Sequence, residues 1–296
     1  MDRRHFLATA AGALAAWSAA PCFAAARDVL TLSDGDFAMP INVLGSNMDA
    51  ARIKEVLDAE GAPSSNLRNP INVTVVRRGD DFVLFDCGAG QNFAEGTGKL
   101  PGNLAAAGIE PERVKHVVFT HAHPDHLWGA LDDFGSPAFP NASFHIAASE
   151  RDFWMSPDVF QHLPEDRQSF AAGAQRLLKE LAPVLQTFRP GEEVVPGVAA
   201  FETGGHTPGH VSFEVRHGTE VVMVLGDALT HAIVSFQYPE WRAGFDQDPD
   251  RAVATRKRLL DRLAAERLRV IGYHLPKGGI GRVERSGTAF RFIAEA

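Results

Sequence analysis

Residues 120–130 read "THAHPDHLWGA" and set three histidines and an aspartate within six positions, directly after the apolar run Val117-Val118-Phe119. Alternate side chains of an extended segment project the same way, so His121 and His123 are aimed at one point. Pro124 breaks the extension and turns Asp125 and His126 toward a second point close by. Neutral imidazole is the commonest nitrogen ligand, and carboxylate a common oxygen ligand, for ions of the Zn²⁺ type. Four donors facing two directions suit a two-metal centre better than a single tetrahedral site. The competing reading, a surface turn rich in histidine by chance, is weak because the chain has 12 histidines in 296 residues.

Three further candidates stand at the ends of other apolar runs. His206 lies in "TGGHTPGH", Asp227 in "VVMVLGDALT", and His274 closes "RLRVIGYH". Each has a plain alternative: an Asp after Gly makes turns, and a His after a strand satisfies a backbone carbonyl. The cluster at 121–126 raises all three together, since loops at one edge of a rigid sheet can assemble a common site.

In order and combination, Asp86-Cys87-Gly88, "THAHPDH", "GGHTPGH", "LGD" and the late histidine resemble the metallo-β-lactamase superfamily across essentially the whole chain beyond residue 26. The resemblance implies an α/β fold, the αββα four-layer sandwich of that superfamily. It implies one metal on His121, His123 and His206 and a second on Asp125, His126 and His274. Asp227 bridges them opposite a shared hydroxide, so that Asp125 and Asp227 are the catalytic carboxylates and His210 serves packing or supports the ligands from behind. The cofactors are then two divalent ions per chain, with Zn²⁺ the first choice, although iron, manganese and cobalt accept the same ligands. Two such ions bring the pKa of a shared water from about 15.7 toward neutrality. No side-chain nucleophile is called for, and no Gly-x-Ser-x-Gly elbow is present.

True β-lactamases lack a bridging aspartate, so Asp227 favours other hydrolases. The stretches "LTLSDGDFAMP", "FPNASFHIAASERDFW" and "HLPKGGIGRVERSGTAFRF" look like methyl parathion hydrolase-like enzymes. That likeness implies a dinuclear hydrolase of small, uncharged phosphotriester (organophosphate), aryl ester or lactone substrates. The alternatives are a dedicated acyl-homoserine-lactone-type lactonase and a non-catalytic metal-binding protein on the same fold. Many lactonases of the superfamily carry a tyrosine three residues past the bridging aspartate, where this chain has Thr230. The resemblance also places Trp128, Trp154, His231 and Phe236 near the mouth of the substrate pocket, with Phe153 and Trp241. His231 is then a candidate proton donor. Against this, Trp and Phe more often fill a core.

The remaining composition bounds the function. A formal charge of −8 and a pI near 5.8 argue against nucleic-acid binding, which needs a basic face. At 45% hydrophobic residues the chain can bury a substantial core. Residues 1–26, with Arg3-Arg4, an Ala-rich stretch and Ala24-Ala25-Ala26, have the layout of a twin-arginine export signal. Periplasmic or secreted location follows, with no stable membrane anchor after cleavage and one hydrolase domain over 27–296. Cys87 is then the only thiol and makes no internal disulfide. Analogy with the resembling hydrolases points to a homodimer.

Coarse patterning predicts a hairpin of 71–77 and 82–85, helices over 49–60 and 103–107, and a strand over 143–147. Ser149 is expected to cap a helix reaching Trp154, and 164–188 to form one longer helix. One strand is expected over 194–203, with others at 211–216 and 220–225. Asp248 is expected to cap a helix through Glu266, before a last buried strand that ends at His274.

Overall fold

The computed structural model describes residues 28–295. The export signal expected over 1–26 lies outside them.

Two sheets lie face to face. The first joins β1 (Val29–Ala38), β2 (Arg68–Arg78), β3 (Asp81–Phe85), β4 (Val114–Val118), β5 (Ser143–Ala147) and β6 (Leu185–Phe188), side by side in that order. β1, β2 and β3 pair antiparallel, whereas β3 to β6 run parallel. The second holds β7 (Glu193–Val195), β8 (Val198–Glu202), β9 (Val211–His217), β10 (Glu220–Val224), β11 (Arg269–Ile271), β12 (Ile280–Ser286) and β13 (Ala289–Ala294). Only β10 and β11 run parallel in it. The helices are α1 (Ala50–Ala59), α2 (Leu100–Ala106), α3 (Pro124–Leu127), α4 (Ala148–Met155), α5 (Gln168–Glu180), α6 (Val234–Gln237) and α7 (Pro249–Glu266).

The layering follows from the two-residue period of a strand buried on both faces. Val83, Phe85 and Val118 turn inward to meet Phe213, Val222 and Val224 between the sheets. Their neighbours Leu84 and Val117 turn outward into a second core with Leu104 of α2, Trp154 of α4 and Leu177 of α5. On the far side Met223 and Val270 pack against Leu259, Leu260 and Leu263 of α7. Helix, sheet, sheet, helix is the expected αββα sandwich. No described helix is long and apolar enough to cross a membrane.

Four local expectations are corrected. Residues 164–188 are not one helix: α5 stops at Glu180, and beyond Pro183, which cannot continue it, Leu185–Phe188 pairs with β5 as an edge strand. Ser149 lies inside α4, whose N-cap is Ala147 with no side-chain hydrogen bond. The strand over 194–203 is split into β7 and β8 at Pro196-Gly197, where Gly197 takes φ +79°. The strand before His274 is not the last: β12 and β13 follow, half-exposed and rich in Arg and Glu, so no apolar run announces them. Asp248 does cap α7, accepting from the Arg251 N–H at 3.2 Å.

Candidate metal centre

Every candidate ligand follows the carboxyl end of a strand at one rim of the sandwich. β4 leads into His121, His123 and α3, which carries Asp125 and His126; β8 leads to His206, β10 to Asp227 and β11 to His274. All seven are buried, none more than 7% exposed. They form three overlapping groups whose donor atoms lie within 4.8 Å of one another: His121, His123, His206; His121, His126, Asp227; and Asp125, His126, His274.

The hydrogen bonds behind the imidazoles set which nitrogen faces the centre. The Thr120 hydroxyl lies 2.8 Å from Asp86 Oδ2 and 3.0 Å from His121 Nδ1. Its one proton goes to the carboxylate, so its oxygen accepts from His121 Nδ1–H and leaves Nε2 a bare lone pair. His126 Nδ1 donates to Asp86 Oδ2 at 2.8 Å, His206 Nδ1 to Asp246 Oδ1 at 3.1 Å, and His274 Nδ1 to the Pro70 carbonyl at 2.7 Å. Four imidazoles thereby turn Nε2 inward as the atom available to a metal.

What those atoms meet is another imidazole nitrogen and two carboxylates. His121 Nε2 and His206 Nε2 each approach His123 Nδ1 at 2.9 Å, although that nitrogen can carry one proton at most. Asp227 Oδ1 lies 3.2 Å from His126 Nε2, and neither atom has a hydrogen-bond partner. Asp227 Oδ2 lies 3.3 Å from His206 Nε2 and 3.2 Å from His274 Nε2, which is also 3.2 Å from Asp125 Oδ2. Lone pairs facing lone pairs in a buried space require cations between them. The donor set therefore fits two metal ions, with the Asp227 carboxylate standing between the two groups. Electrostatics agree. Without an ion the site draws a proton instead: burial opposes charging His274, yet Asp227 and Asp125 outweigh it and lift its pKa to about 10, so a metal binds there by displacing that proton. His121 and His123, buried among other imidazoles, are held well below 6.5.

An outer layer fixes these loops. Glu150, fully buried on α4, accepts from Ala122 N–H (3.0 Å) and Trp154 Nε1 (2.7 Å) on one oxygen. Its other oxygen accepts from the Thr207 hydroxyl (2.7 Å) and Gly209 N–H (3.0 Å). Burial raises its pKa and these four donors pull against that rise. His210 is not in the metal groups; its Nε2 accepts the Asp227 N–H at 3.0 Å. Neither Glu150 nor Asp246 is marked as an organiser in the sequence, because the ligand loops they hold lie far from them in the chain.

The cavity above the centre has His123, Asp125, His206, Asp227 and His274 at its floor. Its walls are Phe37, Met39, Val43, Leu44, Phe93, Phe170, Ala243 and Phe245, with Asn69 and Thr230. None of the four expected pocket residues lines it. Trp154 is fully buried with its ring edge-on to His123 at 5.7 Å, supporting that ligand from the core side. Phe236 is fully buried against Phe292. Trp128 packs over Gly173 and Phe93, where an added Cβ on Gly173 would lie 2.6 Å from its ring. His231 caps α6, its Nδ1 accepting the N–H groups of Ile233 and Val234. Burial holds its pKa down to about 4, which does not suit a proton donor near neutrality. Phe153 and Trp241 are likewise absent from the walls, and Trp241 is buried in the α1 cluster. The true wall comes from the end of β1, the 41–44 turn, α5 and two loops, segments with no shared pattern.

A family model described as the metallo-beta-lactamase superfamily matches residues 67–274. Among solved structures, AidC, a dizinc quorum-quenching lactonase in complex with the product N-hexanoyl-L-homoserine, is 28% identical with a TM-score of 0.85, covering 90% of this chain and 94% of that one. The hydrolase AbOPH of the beta lactamase superfamily is 30% identical with a TM-score of 0.84, covering 92% and 96%. In sequence, YobT of Bacillus subtilis (strain 168) is 30% identical over 161 residues, 54% of this chain and 62% of YobT. The N-acyl homoserine lactonase AiiA of Bacillus thuringiensis subsp. kurstaki is 26% identical over 166 residues, 55% of this chain and 57% of AiiA. The chain spans 62% of the length of YobT and 57% of that of AiiA, less than two thirds of either.

Proposed function

Since the chain belongs to the metallo-beta-lactamase superfamily, whose hydrolases are metal-dependent, we propose that it is a dinuclear metal hydrolase that opens lactones of the acyl-homoserine type. The observation that carries this reading is Asp227, which stands between the two donor groups at the floor of an apolar cavity, its Oδ2 within 3.3 Å of His206 in one and 3.2 Å of His274 in the other. The likeness to a dizinc lactonase over 90% of the chain supports lactones ahead of the phosphotriesters expected from the methyl parathion hydrolase-like stretches.

His121, His123 and His206 would hold one ion, and Asp125, His126 and His274 the other, with Asp227 between them. Two bound divalent ions polarise an ester carbonyl and bring the pKa of water from about 15.7 toward 7. Of the two carboxylates at the cavity floor, Asp227 would be spent between the ions, which leaves Asp125 to take a proton from water and return it to the leaving alkoxide. Phe37, Phe93, Phe170 and Phe245 seat an acyl chain and exclude bulk water. Export through the signal read at residues 1–26 belongs to the same proposal and places the reaction in the periplasm or outside the cell.

One observation favours a second reading. Tyr273 lies beneath His126 with its hydroxyl donating to the Asp125 carbonyl, and Tyr238 stacks on Trp241, so no described tyrosine lines the cavity. A phosphotriesterase needs no such carbonyl-polarising group. The test is turnover of N-hexanoyl-homoserine lactone, an aryl phosphotriester and an aryl ester by the zinc-loaded full chain, with metal content and a chelator control. Chelator-sensitive lactone opening with about two ions per chain is expected. Turnover of the phosphotriester or aryl ester alone would overturn the lactone reading and keep the centre. Two bound ions without turnover would make the protein a metal binder.

A further inference from the structure

Outside the metal groups, the described cavity wall carries two polar side chains, Asn69 and Thr230, among apolar ones. Asn69 is 6% exposed, and its carboxamide makes no hydrogen bond with any described residue. Its neighbour Asn72, equally buried, behaves otherwise: its Nδ2 donates to the carbonyls of Tyr273 at 2.9 Å and Leu275 at 2.8 Å. Most of the residue is covered, yet its carboxamide N and O stay open to the cavity, and a ligand that covers them must offer a partner in place of water.

The chain also holds this carboxamide in fixed register with the metal groups. Asn69 pairs with Phe37 across β1 and β2, and both line the cavity. The next residue, Pro70, accepts the His274 Nδ1 proton on its carbonyl at 2.7 Å. A carboxamide offers two N–H donors and a carbonyl acceptor side by side. The N–H and C=O of a trans secondary amide point to opposite sides, so this carboxamide meets one of them, and its Nδ2 donor suits the amide carbonyl, a stronger acceptor than an ester carbonyl. A site that hydrogen-bonds such a group discriminates strongly against analogues lacking it, since its own polar atoms are then left unpaired.

We propose that Asn69 is the specificity-determining residue of this pocket, hydrogen-bonding the secondary amide of an acylamino lactone and selecting it over lactones that lack an amide. The inference rests on the lactone reading above. Its test compares the zinc-loaded full-length protein with Asn69→Leu, which removes both functions, and Asn69→Asp, which keeps the shape but not the donor. The quantity read is the ratio of kcat/KM for N-hexanoyl-homoserine lactone to that for an alkyl γ-lactone of equal chain length. A fall in this ratio of about tenfold in both variants is expected, the worth of one hydrogen bond. Calorimetric titration of ring-opened N-hexanoyl-homoserine should show a matching rise in Kd. If Asn69→Leu does not fold, Asn69→Asp decides alone. Unchanged ratio and Kd with lactones still opened would overturn the role of Asn69 and leave the proposed activity standing. Absent lactone turnover with Kd still weakened in the variants would overturn the activity and leave Asn69 as an amide-binding residue. Neither turnover nor binding would sink both.

Discussion

The Thr120 hydroxyl and the Asp86 carboxylate together decide the tautomers of His121 and His126, although neither faces the cavity. Asp86 also accepts the Thr120 N–H at 2.8 Å, so both of its oxygens are engaged. It sits at φ +62°, a conformation that Asn tolerates, which makes Asp86→Asn a test of charge rather than of backbone. That variant should bind zinc about 10–100-fold more weakly, as is typical when a ligand's outer partner is lost; competition with a chromophoric chelator reads this directly. Unchanged affinity would mean that the tautomers are set elsewhere. The inner donors were legible in the sequence because histidine and aspartate declare their chemistry at short spacing. The aromatics were misread because ring type does not reveal which face of a strand or helix turns inward: Trp154 serves the centre from within the core.

At the level of elements, α4 ties two ligand loops together through one side chain. Glu150 holds the backbone between His121 and His123 and, on its other oxygen, the turn after His206. Close packing leaves no slack here, since a Cβ on Gly209 would lie 2.2 Å from the Glu150 nitrogen. In Glu150→Gln an NH₂ replaces one acceptor and faces donors. The expected cost is about 1–3 kcal/mol of stability, from buried donors left unpaired, together with weaker metal binding; denaturant unfolding in chelator isolates the first effect. A variant as stable as wild type would show that the loops hold themselves. The elements legible from sequence were those with a clean apolar period, such as β4, β5, β10 and α7. Strands β6, β12 and β13 were not, because a strand with one solvated face or only four residues leaves too short a signal.

For the whole molecule, the centre draws on both sheets, since β4 lies in one and β8, β10 and β11 in the other. Bound ions therefore stabilise the packing of the two halves as well as serving chemistry. Ions present a thousandfold above their Kd contribute about 4 kcal/mol, and at roughly 2–4 °C per kcal/mol chelation should lower Tm by about 10 °C. Coincident calorimetric melts with and without chelator would refute that coupling. The sandwich was readable in advance from its strand-rich halves and strand-end ligands, whereas the pocket wall was not, being assembled from segments far apart in the chain. The same architecture gives the molecule two unequal ends. Inserting a residue after β4, β8, β10 or β11 would throw a ligand off its mark. The turns at Gly79, Gly218 and Gly287 sit at the opposite rim, where an added Cβ would meet nothing within 4 Å. Lineages of this protein are free to lengthen that rim, and it is where a tag, a surface tether or a fused partner can be grafted without disturbing the metals.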